Sequence, residues 1–190
     1  SILILILILA FTIRLLPMRW GYYLSEFDPY WQYRLTKDIV QNGYSHWTTW
    51  KDTMSWWPWG KDVGYLSFPG LPLTAATFYN LFNALGVPMV PAFTTDPLAS
   101  DPVYNLVVIF PVLMGTLTCL AIYFLGKDMG GKEVGLFAAF FLALSASHIG
   151  RTSLGFFDDE TVAIFGIILF SLFFLRSIEK ERSIRANLLY

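Results

Sequence analysis

Three consecutive acidic residues, Asp158, Asp159 and Glu160, lie between two long apolar runs at 134–150 and 161–175. A carboxylate at the centre of a membrane-spanning helix costs roughly 2.5–3.5 kcal/mol, so acids kept beside such helices usually mark a functional site. Just outside one span and at the start of the next, they stay hydrated and ionised while reaching lipid headgroups. An alternative role for these acids is a favourable interaction with the dipole of the helix that follows them. We interpret the cluster as half of a divalent-metal site.

The spacing of these acids indicates which of them could share an ion. In an extended connection residues i and i+2 point the same way, so Asp158 and Glu160 could bind one cation while Asp159 points away. Carboxylate sites suit hard cations such as Mg²⁺ or Mn²⁺ and leave coordination positions for water and substrate phosphates. Such an ion is a Lewis acid that neutralises charge on a departing phosphate. The pattern therefore predicts metal-assisted chemistry near a lipid-borne phosphate.

Two residues elsewhere could complete this site. Asp28 precedes Pro29, which is the pattern of a helix N-cap followed by proline at the first helical position. This pattern predicts a helix from about 29 to 41 and makes capping the alternative role of Asp28. Arg151 could hold a phosphate bidentately, or it could anchor the chain at the membrane interface.

The composition identifies the elements that must position these residues. Of the 190 residues, 55% are hydrophobic and only 14% are charged, whereas a soluble domain carries about 25% charge. The apolar runs are continuous rather than alternating, which favours membrane-spanning helices over a barrel. A net charge of −1 gives no support to nucleic-acid binding. Cys119 and His148 lie within apolar runs; Cys119 is interpreted as a packing residue, and His148 as a packing or interface residue rather than a ligand.

The order of apolar and polar segments predicts four spans and one long loop. The predicted divisions are a span at 1–17, an external loop at 18–102, spans at 103–125, 134–150 and 161–175, and a cytoplasmic exit at 176–190. The basic connections at 126–133 and 176–190 belong in the cytoplasm by the positive-inside rule, so the acids face outside. The polar residues in 71–90 predict an amphipathic surface helix, which keeps Asp28 on the same face. Arg14, near the end of the first span, is predicted to extend to the interface.

Two segments carry a family resemblance. Glu26-Phe-Asp-Pro-Tyr-Trp31 and Arg151-Thr-Ser-Leu-Gly-Phe-Phe-Asp-Asp-Glu160 resemble the catalytic subunit of oligosaccharyltransferase, most of all its archaeal members. The resemblance implies an all-α integral membrane fold of the GT-C glycosyltransferase type. It also implies transfer of an oligosaccharide from a dolichyl phosphate or diphosphate carrier to Asn in Asn-x-Ser/Thr acceptors. In the family pattern, Asp28 binds metal and engages the acceptor amide, Asp158 and Glu160 bind metal, and Asp159 has no ligand role.

The resemblance also implies parts that these 190 residues do not supply. The family has a further catalytic Glu and a soluble domain with a Trp-Trp-Asp motif, so we expect the N-terminal part of a larger membrane enzyme. The alternatives are another glycosyltransferase using lipid-phosphate sugars, such as a protein O-mannosyltransferase, or a non-catalytic divalent-cation channel, transporter or membrane subunit. Acids at the border of a span, with no internal repeat, disfavour a transporter. We expect a multi-pass protein of the cell membrane.

Overall fold

The computed structural model describes residues 2–89 and 97–179, which are mostly helical. The α-helices are α1 (Ile2–Leu15), α2 (Phe27–Asn42), α3 (Val63–Leu66), α4 (Gly70–Ala84), α5 (Pro102–Leu144), α6 (Ala146–Thr152) and α7 (Glu160–Glu179). Short 3-10 helices cover Leu16–Trp20, Tyr44–Thr48 and Pro97–Ser100, and β1 (Lys51–Asp52) pairs antiparallel with β2 (Lys61–Asp62). Within the predicted external loop residues 90–96, and within the predicted exit the residues beyond 179, lie outside the described residues.

Two compact units make up the chain. The first unit comprises Ser1–Arg19, Val112–Ser153 and Glu160–Tyr190, and the second comprises Trp20–Pro111 and Leu154–Asp159. The acid cluster therefore divides between them, because Asp158 and Asp159 belong to the second unit and Glu160 to the first.

Long apolar helices confirm that the chain is an integral membrane protein. Within the described residues, three helices are long and apolar enough to cross a bilayer: Ile2–Trp20, Pro102–Leu144 and Glu160–Ile178. The second has 43 residues and is interrupted at Gly130 and Gly131, whose backbone angles are not helical. At about 1.5 Å per residue, its part before the break is about 42 Å long, enough for a hydrocarbon core of about 30 Å. The break falls within the predicted connection at 126–133, while the exact span boundaries stay a prediction.

Small residues bring the helices of the first unit close together. Ala10 of α1 and Cys119, Ala139 and Ala143 of α5 are fully buried in one cluster. A Cβ on Gly135 would lie 2.5 Å from the carbonyl oxygen of Tyr123, so a larger residue there would separate the backbones. Cys119 and the 4% exposed His148 are both buried, in agreement with their interpretation as packing residues.

Arg14 is fully buried in the first unit, so the prediction that it extends to the interface was wrong. Its Nε donates to Oγ1 of Thr152 at 2.8 Å, and its Nη1 donates to the carbonyl oxygens of Ala10 at 2.9 Å and Ala143 at 3.4 Å. Thr152 and Ala143 lie in the last turns of α6 and α5, and Ala10 lies one turn before Arg14 in α1. The negative ends of two helix dipoles therefore face one cation, which stabilises its charge without a carboxylate. Gly115 leaves room for it, because a Cβ there would lie 2.6 Å from Nε of Arg14.

In the second unit, α2 packs against α4. Leu35 and Ile39 of α2 and Ala76 of α4 share a buried cluster with Trp47 and Val63. With 15 residues, α4 is shorter than the roughly 20 residues that a span requires. The location of α4 on the outer membrane surface stays a prediction.

Helix α2 begins earlier than the sequence pattern predicted. Its N-cap position is Glu26, whose side chain makes no capping hydrogen bond, and Asp28 lies in the first helical turn. The prediction of Asp28 as the N-cap was therefore wrong. An acid in the first turn still interacts favourably with the helix dipole. The helix ends at Asn42, one residue beyond the predicted end, and its C-cap is Gly43, whose φ of 86° is accessible to glycine.

Candidate functional site

A backbone bridge joins the two acidic segments of the second unit. The N–H of Ser25 donates to the carbonyl oxygen of Gly155 at 3.1 Å, and Oγ of Ser25 lies 3.2 Å from the same oxygen. Asp28 follows Ser25 by three residues, and Asp158 follows Gly155 by three. Two segments 130 residues apart are thereby joined at equal distances along the chain from their acids.

Gly155 fits this bridge because it has no side chain. Its φ is +82°, in the left-handed region, and a Cβ would lie 2.2 Å from the carbonyl oxygen of Tyr23. Its N–H donates to the carbonyl oxygen of Val108 on α5 at 2.9 Å. The neighbouring Phe157 is fully buried and packs edge-to-face on Phe110, with ring centroids 5.6 Å apart. Backbone hydrogen bonds and aromatic packing together fix the segment before Asp158.

Asp28, Asp158 and Asp159 line one pocket of about 240 Å³, here named the acid pocket. The structure thus brings together two of the three predicted metal ligands. Oδ1 of Asp158 accepts a hydrogen bond from the N–H of Asp159 at 2.8 Å. The remaining lining residues lie on α2 and on the segment around β2 and α3: Trp31, Gln32, Leu35, Lys61, Leu66, Ser67 and Phe68.

Arg151 and Glu160 meet in the first unit. Nη1 of Arg151 lies 3.3 Å from Oε1 of Glu160, and Oγ1 of Thr161 donates to the carbonyl oxygen of Arg151 at 3.4 Å. Both charged side chains are about half exposed, so the pair contributes at most about 1 kcal/mol to stability. The sequence assigned a phosphate to Arg151 and a metal to Glu160, and it did not predict that the two would pair.

The acidic groups have the chemistry of a hard-cation site. Within residues 2–89 and 97–179, no three His, Cys, Asp or Glu side chains are arranged so that they could hold a metal ion. Asp28 and Asp158 nevertheless offer carboxylate oxygens in one pocket, and Oε2 of Glu160 is buried with no hydrogen-bond partner among the described groups. Oxygen donors of this kind suit Mg²⁺ or Mn²⁺. The donor set fits such an ion, and its ligand geometry stays a prediction.

Lys61 is the residue of the acid pocket that the sequence interpretation missed. Its Nζ lies 4.6 Å from the ring centroid of Trp31 and 5.8 Å from that of Trp56. No spacing rule connects Lys61 with Asp28 or Asp158. Its only sequence signal is its place directly after the tryptophans at 56, 57 and 59, which carries no information on charge pairing.

Three polar residues connect α2 to the start of α5. The hydroxyl of Tyr33 donates to Oδ2 of Asp101 at 2.6 Å, and Nζ of Lys37 lies 2.6 Å from the same oxygen. Oδ1 of Asp101 accepts from the N–H of Val103 at 2.8 Å. Burial tends to raise the pKa of Asp101, but the bonds from Lys37, Tyr33 and Val103 outweigh it and leave the pKa below its usual value. Burial, helped by the bond to Asp101, raises the pKa of Tyr33 to about 12.

Fold and site together define an all-α membrane protein with an acidic pocket built from two distant segments. Residues 2–189 match the family described as "Oligosaccharyl transferase STT3, N-terminal", and the chain belongs to this family. The family resemblance stated from the sequence is confirmed.

Named relatives and solved structures agree with this assignment. The chain is 35% identical over 167 residues to the dolichyl-diphosphooligosaccharide–protein glycosyltransferase subunit STT3A of Oryza sativa subsp. japonica, covering 87% of the chain and 20% of that protein. It is 31% identical over 155 residues to the STT3 subunit of Saccharomyces cerevisiae, covering 81% of the chain and 20% of that protein. The chain thus spans about a fifth of the length of these relatives.

Two structures from Archaeoglobus fulgidus share the fold. One is the oligosaccharyltransferase in its apo form, with a TM-score of 0.73 at 21% identity. The other is AglB in complex with an inhibitory peptide and a dolichol-phosphate, with a TM-score of 0.74 at 22% identity. Each match covers 99% of this chain and 21% of the solved one. The expected GT-C-type membrane fold is confirmed.

Proposed function

We propose that the protein containing this chain transfers an oligosaccharide from a dolichyl phosphate or diphosphate carrier to Asn in Asn-x-Ser/Thr sequences. The observation that carries the proposal is that Asp28 and Asp158, which lie in the two segments resembling the family, line one pocket. Family membership and the names of the relatives supply the reaction class. An acceptor polypeptide and a lipid-linked oligosaccharide are the proposed partners, as in the Archaeoglobus complex with peptide and dolichol-phosphate.

Carboxylates give this pocket two tasks in the proposed reaction. Asp28 accepts hydrogen bonds from the acceptor amide and orients its nitrogen towards the sugar carbon, because a carboxylate is a strong acceptor for N–H donors. Asp158 and Glu160, with Asp28, would hold Mg²⁺ or Mn²⁺. When bound, that cation would neutralise charge on the departing phosphate. Asp159 is assigned no ligand role.

Arg151 is proposed to contact the carrier phosphate. A guanidinium carries five N–H donors in a planar fork, so it can bind a carboxylate and a phosphate together. In this proposal the pair with Glu160 keeps Arg151 oriented before the carrier arrives. We propose that this chemistry takes place on the external face of the cell membrane; the positive-inside rule supports the external side.

Glycan transfer by the full-length protein would test the proposed function. The assay combines purified protein, lipid-linked oligosaccharide, a fluorescent Asn-x-Thr peptide and Mn²⁺. We expect Asp28→Ala and Asp158→Ala to abolish transfer and Asp159→Asn to have a milder effect. Asp38→Ala is the matched control, because Asp38 lies on α2 with Asp28 but pairs with His46 at 2.7 Å.

Three results would contradict the proposal. Transfer at the wild-type rate by Asp158→Ala under Mn²⁺ would exclude the metal role of that residue. Equal losses in Asp38→Ala and Asp28→Ala would indicate general damage to α2. A glycan attached to Ser or Thr instead of Asn would assign the protein to the O-mannosyltransferase type.

A further inference from the structure

We propose that Lys61 binds a phosphate oxygen of the lipid carrier at the acid pocket. This inference rests on the proposed function and adds a residue to its donor site. Lys61 lines the pocket together with Asp28, Asp158 and Asp159. Its ammonium group takes part in none of the ion pairs found among residues 2–89 and 97–179. A cation in an acidic pocket that is not committed to a carboxylate can bind an anionic ligand.

The backbone at Lys61 is held in a defined position. Lys61 pairs with Asp52 in the antiparallel register of β1 and β2. Asp52 is 1% exposed and accepts hydrogen bonds from Arg34, from Oγ of Ser55 and, at 3.1 Å, from the N–H of Met54. Because Arg34 lies on α2, the pairing ties the strands to the helix that carries Asp28.

The side chain is held by aromatic faces rather than by a counter-charge. Nζ lies over Trp31 and, at a longer distance, over Trp56. Such cation–π contacts contribute about 0.5–2 kcal/mol. They attract the ammonium group but do not neutralise it, whereas a carboxylate partner would. The two rings therefore orient a lysine whose N–H donors stay available to a ligand.

The charges of the pocket favour phosphate bound together with a cation. Three carboxylates and one ammonium group leave a net charge of −2, so an anion alone would be repelled. One divalent cation would balance that charge. A phosphate oxygen between this cation and Lys61 would then be attracted from both sides. We expect phosphate binding through Lys61 to require Mn²⁺ or Mg²⁺.

The test compares three variants of the full-length protein. Lys61→Met removes the charge and keeps most of the length, while Lys61→Arg keeps the charge. Lys51→Met is the control, because Lys51 pairs with Asp62 in the same two strands and does not line the pocket. Binding of polyprenyl phosphate in detergent is measured with and without Mn²⁺. Parallel titrations use neutral polyprenol and inorganic phosphate, and the melting temperature reports on folding.

With Mn²⁺, we expect Lys61→Met to weaken polyprenyl phosphate binding about tenfold or more, since a charge-assisted hydrogen bond is lost. Lys61→Arg should stay within about threefold of wild type, and Lys51→Met and polyprenol binding should be unchanged. The KM for the acceptor peptide should not move, because the proposed contact is to the carrier.

Several outcomes would overturn the inference. Unchanged polyprenyl phosphate affinity in Lys61→Met would exclude the contact, and equal losses in Lys61→Met and Lys51→Met would indicate a merely structural role for the strands. Inorganic phosphate bound as tightly as the lipid would assign Lys61 to free phosphate and exclude the lipid carrier. Carrier binding that depends on Lys61 in a protein without glycan transfer would support this inference while contradicting the proposed function.

Discussion

The buried Arg14 of the first unit and the acid pocket of the second differ in how their charges are paired. In the first unit, Arg14 is fully buried and bonded to Thr152 and to two backbone carbonyl oxygens. In the second unit, Asp28, Asp158 and Lys61 line an open pocket and are not paired with one another. The charge of Arg14 is used to hold helices together, whereas the charges of the acid pocket remain available to bind a ligand. This difference indicates that stability depends on the first set and activity on the second.

Arg14→Met should have the largest effect on stability. The change removes three hydrogen bonds from a buried cation, and bonds to charged groups contribute roughly 1.5–3 kcal/mol each. Counting only the two shorter bonds, to Thr152 and Ala10, we expect a loss of at least about 3 kcal/mol. Thermal unfolding in detergent would measure it, with the exposed Arg19→Met as control. A melting temperature within a degree of wild type would show that the helix ends do not depend on this cation.

Gly155→Ala should have the second largest effect on stability and should also reduce activity. The left-handed backbone and the close approach to Tyr23 predict a loss of about 1–3 kcal/mol and displacement of the segment before Asp158. We therefore expect weaker Mn²⁺ binding and less glycan transfer, measured by Mn²⁺ titration and by the transfer assay. Gly150→Ala is the control, because nothing lies within 4 Å of a Cβ at that helical position. Full Mn²⁺ affinity in Gly155→Ala would contradict a positioning role for the bridge.

Asp101→Asn should have a smaller effect on stability, and this effect should depend on pH. The pKa of Asp101 is depressed in the folded protein, so its contribution is present above the usual value of about 3.9 and is lost as the pH falls through the folded pKa. At pH 6 the free energy of unfolding of wild type should therefore exceed that of Asp101→Asn by less than about 1 kcal/mol, because the pair with Lys37 is partly exposed. Melting temperatures of the two proteins would report this difference. The difference should shrink below about pH 4. A constant difference from pH 6 to pH 3 would exclude this linkage.

Asp28→Asn and Asp158→Asn should have the smallest effect on stability. Removing one of several like charges from a pocket relieves repulsion, so we expect an unchanged or slightly raised melting temperature together with loss of transfer. Thermal unfolding and the transfer assay on the same samples would show whether activity is lost without a loss of stability. A clear fall in melting temperature would mean that the pocket acids also hold the second unit together.

Much of this arrangement follows from simple sequence patterns. Acids beside apolar runs singled out Asp158, and the count of spans led to the expectation that Asp28 lies on the same face; the structure shows both lining one pocket. Both inferences depend on hydropathy and charge, which are local properties of the chain. Their proposed roles as metal ligands stay predictions.

The features that the sequence did not predict depend on contacts between distant segments. The bridge between Ser25 and Gly155 uses backbone groups, which every residue carries and no pattern distinguishes. Lys61 joins the pocket only through the pairing of β2 with β1. Arg14 was assigned to the interface because a buried charge is costly, and the acceptor oxygens of α5 and α6, which offset that cost, cannot be seen in the sequence of α1.

Asp28 and Asp158 each follow a residue of the Ser25–Gly155 bridge by three positions. The spacing within each motif is therefore as important as the identity of its residues. One inserted residue between Ser25 and Asp28, or between Gly155 and Asp158, would lengthen that side by up to about 3.3–3.6 Å. A shift of that size exceeds a typical oxygen-to-magnesium distance of about 2.1 Å, so we expect an insertion to displace one carboxylate relative to the other. Homologous chains that retain the acids but change either three-residue interval are therefore expected to have lost the shared pocket.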